Sequence, residues 1–416
     1  MRKSVDVVIP MQQNSDYKLL YPQSIDWDKF VEEPPFAPFD GDVLDYLNEL
    51  SVSILKDKES RLYSDVVTFA FFCRRGNLLK KKSQFCGSES LRLGRGTLFH
   101  IAPSNVPINF AYSLVSGLVS GNCNVVRVSS KSFPQVDILI RHIHQLGEIK
   151  KFANIAHRIA LVRYDRDSCA TSFFSSFASV RIIWGGDATI ANVRKNELRP
   201  RSFDVCFADR YSIALLNPQS ILHASDSEMD TLAENFYNDT YLFDQNACSS
   251  PHLLFWLCKE CASTELEKAK NKFWNSIYSF VSQKYELQAV LCVDKLTNFY
   301  RQSICLNIEK EEMPDNLIVR TKLKDLSPNI DMFRCAGGYF TEMDVSEMDN
   351  IASVLTSKYQ TMVYYGITKA DLESFVVRNH LFGLDRIVPI GKSSDFDFIW
   401  DGYDLIKTLS RIITVI

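Results

Sequence analysis

The sequence predicts an α/β protein built on parallel sheets, and three observations predict it. The chain has 416 residues, which at about 150 residues per domain means two or three domains. Its 46% hydrophobic and 23% charged content is ordinary for a globular protein and excludes disorder, collagen and coiled coil as descriptions of the whole. From Thr97 onward, short runs rich in Val and Ile alternate with helix-period segments of ten or so residues, the pattern of a parallel sheet covered on both faces.

Residues 1–90 are mixed. Pro34, Pro35, Pro38 and Gly41 break the chain before residues 43–55, where Val43, Leu44, Leu47, Leu50 and Ile54 fit one helical stripe. The basic cluster Lys80 to Lys82 reads as a solvated face. Strands are predicted at 97–102, 124–129, 158–164, 180–184, 203–207 and 212–216, with helices at 109–119, 135–146, near 172 and at 188–196 between them. A nucleotide would bind at the carboxyl ends of those strands. A second block, from about 225, carries helices at 228–237 and 265–285 around an apolar strand at 253–258. A last helix at 404–413 has an apolar stripe of Leu405, Leu409 and Ile412. The predicted division is an N-terminal segment (1–90) packing on a cofactor domain (91–224), a catalytic domain (225–385) and a tail (386–416).

Some functions are disfavoured at once. The balance of 47 basic and 50 acidic residues, a formal −3, argues against a basic nucleic-acid-binding surface. The longest apolar runs, 68–73 and 253–258, fall short of the ~20 residues that span a bilayer. MRKSVDVVIP lacks the apolar core of a signal peptide. Eleven scattered cysteines lack the density of a disulfide scaffold and read as reduced thiols, so a cytoplasmic setting is expected.

No GxGxxG occurs in the sheet block. Gly185-Gly186-Asp187 follows the strand at 180–184, where a glycine pair lets a ligand approach the backbone, although a plain tight turn would read the same way. Cys248 lies in Asp244-Gln245-Asn246-Ala247-Cys248-Ser249-Ser250-Pro251, a small polar run between a helix and an apolar strand. Catalytic loops lie at such ends, and a thiolate there would be a nucleophile; a buried filler cysteine is the plain alternative. Cys258 and Cys261 have CxxC spacing, but no second pair completes a zinc site, and no metal is expected. His252 could serve as an acid or be structural.

Three segments together resemble the aldehyde dehydrogenase superfamily. In IAPSNVPINFAYSLVSGLVSGNCNVVRVSS (101–130), a Pro-x-Asn turn precedes a helix, Gly-Asn and a strand. VRIIWGGD is similar to that superfamily's cofactor turn, and DQNAC to its nucleophile loop. FADRYSIALL, DQNACSSP and the tail RIVPIGKSSDFDFIWDGYDLI bring the chain closer to the LuxC-type acyl-CoA (fatty acid) reductases of bacterial luciferase systems. The resemblance runs from about Leu91 to Arg411. It implies an aldehyde dehydrogenase-like α/β fold, with a Rossmann-type cofactor domain and an α/β catalytic domain.

The resemblance also implies roles. Cys248 would be the nucleophile. Asn105 would form an oxyanion hole with the Cys248 N–H. Gly185, with Gly186, would let the cofactor pass, and Ser104 would line its site. Asp395, Asp401 and Tyr403 match the family tail without a chemical role of their own. Two departures refine this. Aldehyde-oxidising members carry a glutamate that activates the hydrolytic water, and alignment on the strand at 212–216 puts Phe207 there. A phenyl ring cannot accept a proton, so an acyl-enzyme would survive; a shifted alignment would hand that base role to Asp204 or Asp209. NAD-specific enzymes place a carboxylate after the second strand. Here stand Arg127, Ser129, Ser130 and Lys131, which suit a 2′-phosphate, so NADPH is expected.

The function expected is NADPH-dependent reduction of an acyl thioester to the aldehyde through an acyl-cysteine. Its alternatives are an NAD(P)-dependent aldehyde or acyl-phosphate oxidoreductase, a thiol acyltransferase, and an inactive scaffold subunit. Expected partners are acyl-CoA or an acyl-carrier thioester, an acyl-protein synthetase and further copies of the chain.

Overall fold

The computed structural model describes residues 16–85, 90–103, 106–259 and 262–416. The chain forms two compact units, Met1–Ala208 with Tyr403–Ile416, and Asp209–Gly402.

The first unit is built on a six-stranded sheet. Its strand order is Lys18–Tyr21, Ile159–Arg163, Cys123–Arg127, Thr97–Ile101, Val180–Trp184 and Phe203–Phe207. Only Lys18–Tyr21 runs antiparallel. The strands Thr97–Ile101 and Val180–Trp184 are buried throughout, which is why the sequence shows continuous apolar runs there instead of alternation. Successive strands are laid outward from Thr97–Ile101 in one direction, and then from Val180–Trp184 in the other. The order therefore reverses between these two, and a crevice opens at the carboxyl ends of strands at such a switch point.

Residues 16–85 pack into the same unit. Arg158 is buried, with its guanidinium 3.6 Å over the Phe36 ring and Nη2 donating to Pro34 O at 2.8 Å. Gly121 has φ +86, and a Cβ there would lie 2.1 Å from Phe36 O, so this close crossing requires glycine.

The second unit holds a seven-stranded sheet ordered Ile308–Glu311, Val319–Leu323, Tyr339–Val345, Pro251–Leu257, Tyr211–Leu216, Tyr359–Tyr365 and Arg386–Pro389. Only Ile308–Glu311 is antiparallel. One apolar cluster gathers Trp256, Phe273, Trp274 and Phe340, and another gathers Tyr211, Phe255, Tyr359 and Phe375. Glu342 is buried and accepts from Trp256 Nε1 (2.7 Å), Trp274 Nε1 (3.0 Å) and Arg320 Nε (2.6 Å).

Two sequence expectations are corrected. The strand expected to close the cofactor domain, Tyr211–Leu216, pairs with Pro251–Leu257 and Tyr359–Tyr365. The division thus falls after Ala208, not after 224, because an all-buried strand carries no mark of which sheet it joins. The helix expected at 404–413 stops at Leu409. Ser410–Ile413 is a strand antiparallel to Leu91–Gly94. Arg92 fixes that pairing by donating to Ser410 Oγ (2.8 Å), Lys407 O (2.6 Å) and Ser410 O (3.1 Å). The tail is accordingly shared, with 386–402 in the second unit and 403–416 in the first. Among the described residues no helix is long and apolar enough to cross a membrane.

Candidate functional site

In the first unit the expected cofactor residues lie at the ends of the central strands. Arg127 closes Cys123–Arg127. Its Nη2 donates to Tyr164 O at 3.1 Å, its guanidinium stands 4.8 Å from the Tyr164 ring centroid, and its buried Nε has no partner among the described residues. Ser129 is buried and its Oγ accepts from Lys131 N at 3.1 Å. Ser130 and Lys131 are exposed. Residues 127–132 carry no carboxylate, so hydroxyls, an ammonium and a guanidinium with a spare N–H gather at this strand end. These groups fit an anionic phosphate.

Gly185 follows Trp184 at the switch point, and its N–H donates to Phe207 O at 3.1 Å. Gly186 has φ −64, and a Cβ there would meet nothing within 4 Å. The fold itself therefore does not require glycine at 186. Ser104 and Asn105 lie outside the described residues.

Trp184 and Phe207 stack at 3.6 Å with an interplanar angle of 12°, and Tyr403 packs edge-on to Phe207 at 5.6 Å. Trp184 Nε1 donates to Ser113 Oγ at 3.0 Å. That hydroxyl also meets His100 Nδ1 at 2.7 Å, while His100 Nε2 lies 3.0 Å from Asn124 Oδ1. Burial pushes His100 down to about 4, so it is neutral and structural. Asp204 accepts from buried Arg181 (2.8 and 3.2 Å) and from Arg194 (3.3 Å). Those contacts take up a carboxylate that a shifted alignment would have offered as a base.

In the second unit the loop that carries Cys248 is held in an uncommon backbone shape. Asp244 (φ 51) and Gln245 (φ 60) are both left-handed without being glycine, a conformation kept only where surroundings enforce it. Gln245 is buried and uses its whole amide. Nε2 donates to Pro251 O (2.9 Å) and Tyr339 O (3.1 Å), and Oε1 accepts from Gly338 N (3.0 Å) and Tyr339 N (3.1 Å). The loop is thereby pinned to the strands Pro251–Leu257 and Tyr339–Val345. Ser212 Oγ donates to Cys248 O at 2.6 Å.

Burial pushes the Cys248 thiol up; a hydrogen bond from the Arg210 backbone and the Arg334 guanidinium oppose that, while Asp209 and Asp401 add to it. Arg334 Nη1 is paired with Asp209 Oδ1 (2.9 Å) and donates to Arg210 O (3.0 Å). Arg210 is anchored by Asp401 (3.0 Å) and Asp385 (2.6 Å). Asp401, which the sequence left without a role, thus holds the residue whose backbone faces the thiol. His252 is stacked on Tyr211, with Nδ1 3.2 Å from Cys335 O. Burial and Arg334 push it down to about 3, so it stays neutral and cannot donate as an imidazolium near pH 7.

Cys258 Sγ lies 3.2 Å from Trp256 O, and Cys261 is outside the described residues. Among the described residues no group of three or more His, Cys, Asp or Glu could hold a metal. Sequence reasoning missed Gln245, Arg210 and Arg334. Gln245 and Arg210 stand inside quoted motifs; Arg334 is an isolated arginine with no sequence signal.

A switch-point sheet and a cysteine on a strained loop ahead of a buried strand define the aldehyde dehydrogenase class of fold. The solved structures agree. A point mutant of the 1-pyrroline-5-carboxylate dehydrogenase of Thermus thermophilus matches at 12% identity and TM-score 0.62, covering 89% of this chain and 80% of that one. A Thermus 1-pyrroline-5-carboxylate dehydrogenase with bound NAD matches at 13% and 0.62, covering 93% and 82%. An NAD-dependent benzaldehyde dehydrogenase from Corynebacterium glutamicum matches at 12% and 0.61, covering 92% and 86%. No curated protein matches by sequence. The family model described as acyl-CoA reductase (LuxC) matches residues 77–412. The chain belongs to that family and is an aldehyde-forming acyl-CoA reductase.

Proposed function

We propose that the chain reduces an acyl thioester, a fatty acyl-CoA or acyl-carrier thioester, to the aldehyde with NADPH, through an acyl-cysteine on Cys248. The observation that carries this reading is the strained loop, pinned through the Gln245 amide, that holds Cys248 beside the Arg210 N–H and Arg334. The Cys248 thiolate attacks the thioester carbonyl. The Asn105 amide and the Cys248 N–H stabilise the oxyanion, the CoA or carrier thiol leaves, and an acyl-cysteine remains. When bound, the nicotinamide cofactor supplies the hydride that takes this thioester to a thiohemiacetal, which collapses to aldehyde and thiolate.

Arg127, Ser129, Ser130 and Lys131 would hold the cofactor's 2′-phosphate, and Ser104, Gly185 and Gly186 would line its path. The Thermus enzyme binds NAD and the Corynebacterium glutamicum enzyme depends on it; the carboxylate-free strand end supports NADPH for this chain. Phe207, stacked on Trp184, offers no base to activate water, which supports an acyl-enzyme that waits for hydride. A cytoplasmic setting, an acyl-protein synthetase as acyl source and a homo-oligomer complete the reading.

The experiment is NADPH consumption with a panel of acyl thioesters. Wild type should consume NADPH and release aldehyde, and Cys248→Ala should do neither. Equal turnover by Cys248→Ala would overturn the reading.

A further inference from the structure

Among the described residues outside the Cys248 loop, one cluster joins a nucleophile, a base and a carboxylate. Ser53 Oγ lies 2.7 Å from His142 Nδ1, and His142 Nε2 lies 3.2 Å from Asp57 Oδ2. Ser53 sits near the end of helix Gly41–Lys56, Asp57 is the residue that ends it, and His142 comes from helix Pro134–Gly147. Ser53 and Asp57 precede the stretch that the family model matches.

Two groups face His142 Nε2: Asp57 Oδ2 and, at 3.3 Å, Ser60 Oγ, whose own proton goes to that same Asp57 oxygen. An ionised carboxylate only accepts, so His142 Nε2 carries the proton toward Asp57. Nδ1 is then left with its lone pair facing the Ser53 hydroxyl, the arrangement of a general base on a nucleophile. Burial pushes the Asp57 carboxyl up, but bonds from Ser60, the Glu59 N–H, His142 and Arg141 outweigh it and hold it at about 2. Burial pushes His142 down, which keeps it neutral and able to take a proton. Arg141 Nη2 also donates to Asp57 Oδ2 (2.6 Å), and Ser60 Oγ donates to the same oxygen (2.9 Å), so the orienting carboxylate is itself fixed.

The constellation opens on a cleft of about 450 Å³ lined by Ser53, Lys56, Asp57, Glu59, Arg141, His142 and Gln145. Lys56 is three residues beyond Ser53 on one helix, and Gln145 three beyond His142 on the other, so each shares a face with its catalytic neighbour. Neither has a hydrogen-bond or ion-pair partner among the described residues, so the cleft lining offers an ammonium and an amide donor that can turn to a developing oxyanion.

We propose that Ser53, His142 and Asp57 form a second acyl-transfer site that hydrolyses small carboxylic esters without using Cys248. His142 Nδ1 takes the Ser53 proton as Oγ bonds to the ester carbonyl carbon. The carbonyl–alkoxy bond breaks, His142 returns the proton to the departing alkoxide, and an acyl-serine forms. Water, deprotonated by His142, then attacks the acyl-serine, releasing the carboxylic acid and restoring the serine. Ser53 and His142 are the catalytic residues, and Asp57 is a positioning residue. No electrons are transferred and no cofactor is needed.

The test has two arms on the full-length chain. In the first, wild type is treated with a fluorophosphonate probe and the adduct is mapped by mass spectrometry; phosphonylation of Ser53 is expected. In the second, hydrolysis of p-nitrophenyl acetate is measured in Cys248→Ala, which removes thiol esterase activity. Adding Ser53→Ala or His142→Gln to that parent should lower the rate at least about a hundredfold, the scale of losing a general base, while Ser53→Ala alone leaves acyl-CoA reduction intact. An unlabelled Ser53, or a rate unchanged by Ser53→Ala, would show the cluster to be only a structural tie between the two helices. The labelling arm needs no substitution, so a variant that fails to fold cannot obscure the result.

Discussion

At the residue scale the Cys248 thiol is pulled in opposite directions. Burial raises the thiol, and the Arg210 backbone and Arg334 pull it back. An acid raised above its ordinary value has less thiolate at neutral pH. Alkylation of Cys248 by iodoacetamide should therefore rise with pH to beyond the ordinary thiol range, and Arg334→Gln should move the profile higher still; a profile indifferent to Arg334 removes that role. Asn105→Ala should lower turnover about a hundredfold, the scale of one oxyanion donor, with unfolding little changed. Unchanged kcat would put the oxyanion elsewhere. For the cofactor, Ser130 is exposed beside Arg127 and Lys131, so Ser130→Glu is sterically free. It should weaken NADPH and retain or strengthen NADH, because a like charge opposes the 2′-phosphate and a carboxylate accepts from a ribose hydroxyl. Steady-state KM for both cofactors reads this out, and an untouched ratio would move the phosphate site away from this turn.

At the scale of elements, one side chain joins the Cys248 loop to the second sheet. Gln245 satisfies two N–H and two C=O groups in the interior, and its own φ is left-handed. Gln245→Leu would take the side-chain partner away from all four backbone groups. At about 1 kcal/mol or more for each, it should cost roughly 3–5 kcal/mol in denaturant unfolding and depress turnover. Gly338 sits opposite with φ +87, where a Cβ would lie 2.4 Å from both Leu317 O and the Tyr241 hydroxyl, so Gly338→Ala should act in the same direction. If Gln245→Leu unfolds like wild type, the loop is held by its neighbours instead.

At the scale of the folded molecule, Asp239 ties helix Asp226–Thr240 to the stretch after Arg386–Pro389, accepting from Gly391 N (2.6 Å) and Ser393 N (2.9 Å). Burial raises its carboxyl from 3.8 to about 6 against those two bonds. The folded state thus holds this proton more tightly than the unfolded chain. The resulting stability is full below the unfolded value and is lost as pH rises through the folded one. Denaturant unfolding from pH 4 to 7 should show wild type losing up to about 3 kcal/mol more than Asp239→Asn over that window. Parallel curves would show that Asp239 titrates normally.

The sequence by itself determined the α/β class, most strands and helices, the cysteine to watch and the family. Buried parallel strands and the helices between them write their periodicity into consecutive residues, as at 97–101, 109–119 and 180–184, and a nucleophile loop is a contiguous motif. Only the tertiary structure decided which sheet receives Tyr211–Leu216, since a strand buried on both faces looks alike in either. It also decided that 410–413 is a strand, through Arg92 from more than three hundred residues away. The groups that surround Cys248, namely Arg210, Arg334 and Asp401, and the pairing of Ser53 and Asp57 with His142, lie far apart in the chain. Electrostatics and hydrogen bonding act through space, so no local pattern records them.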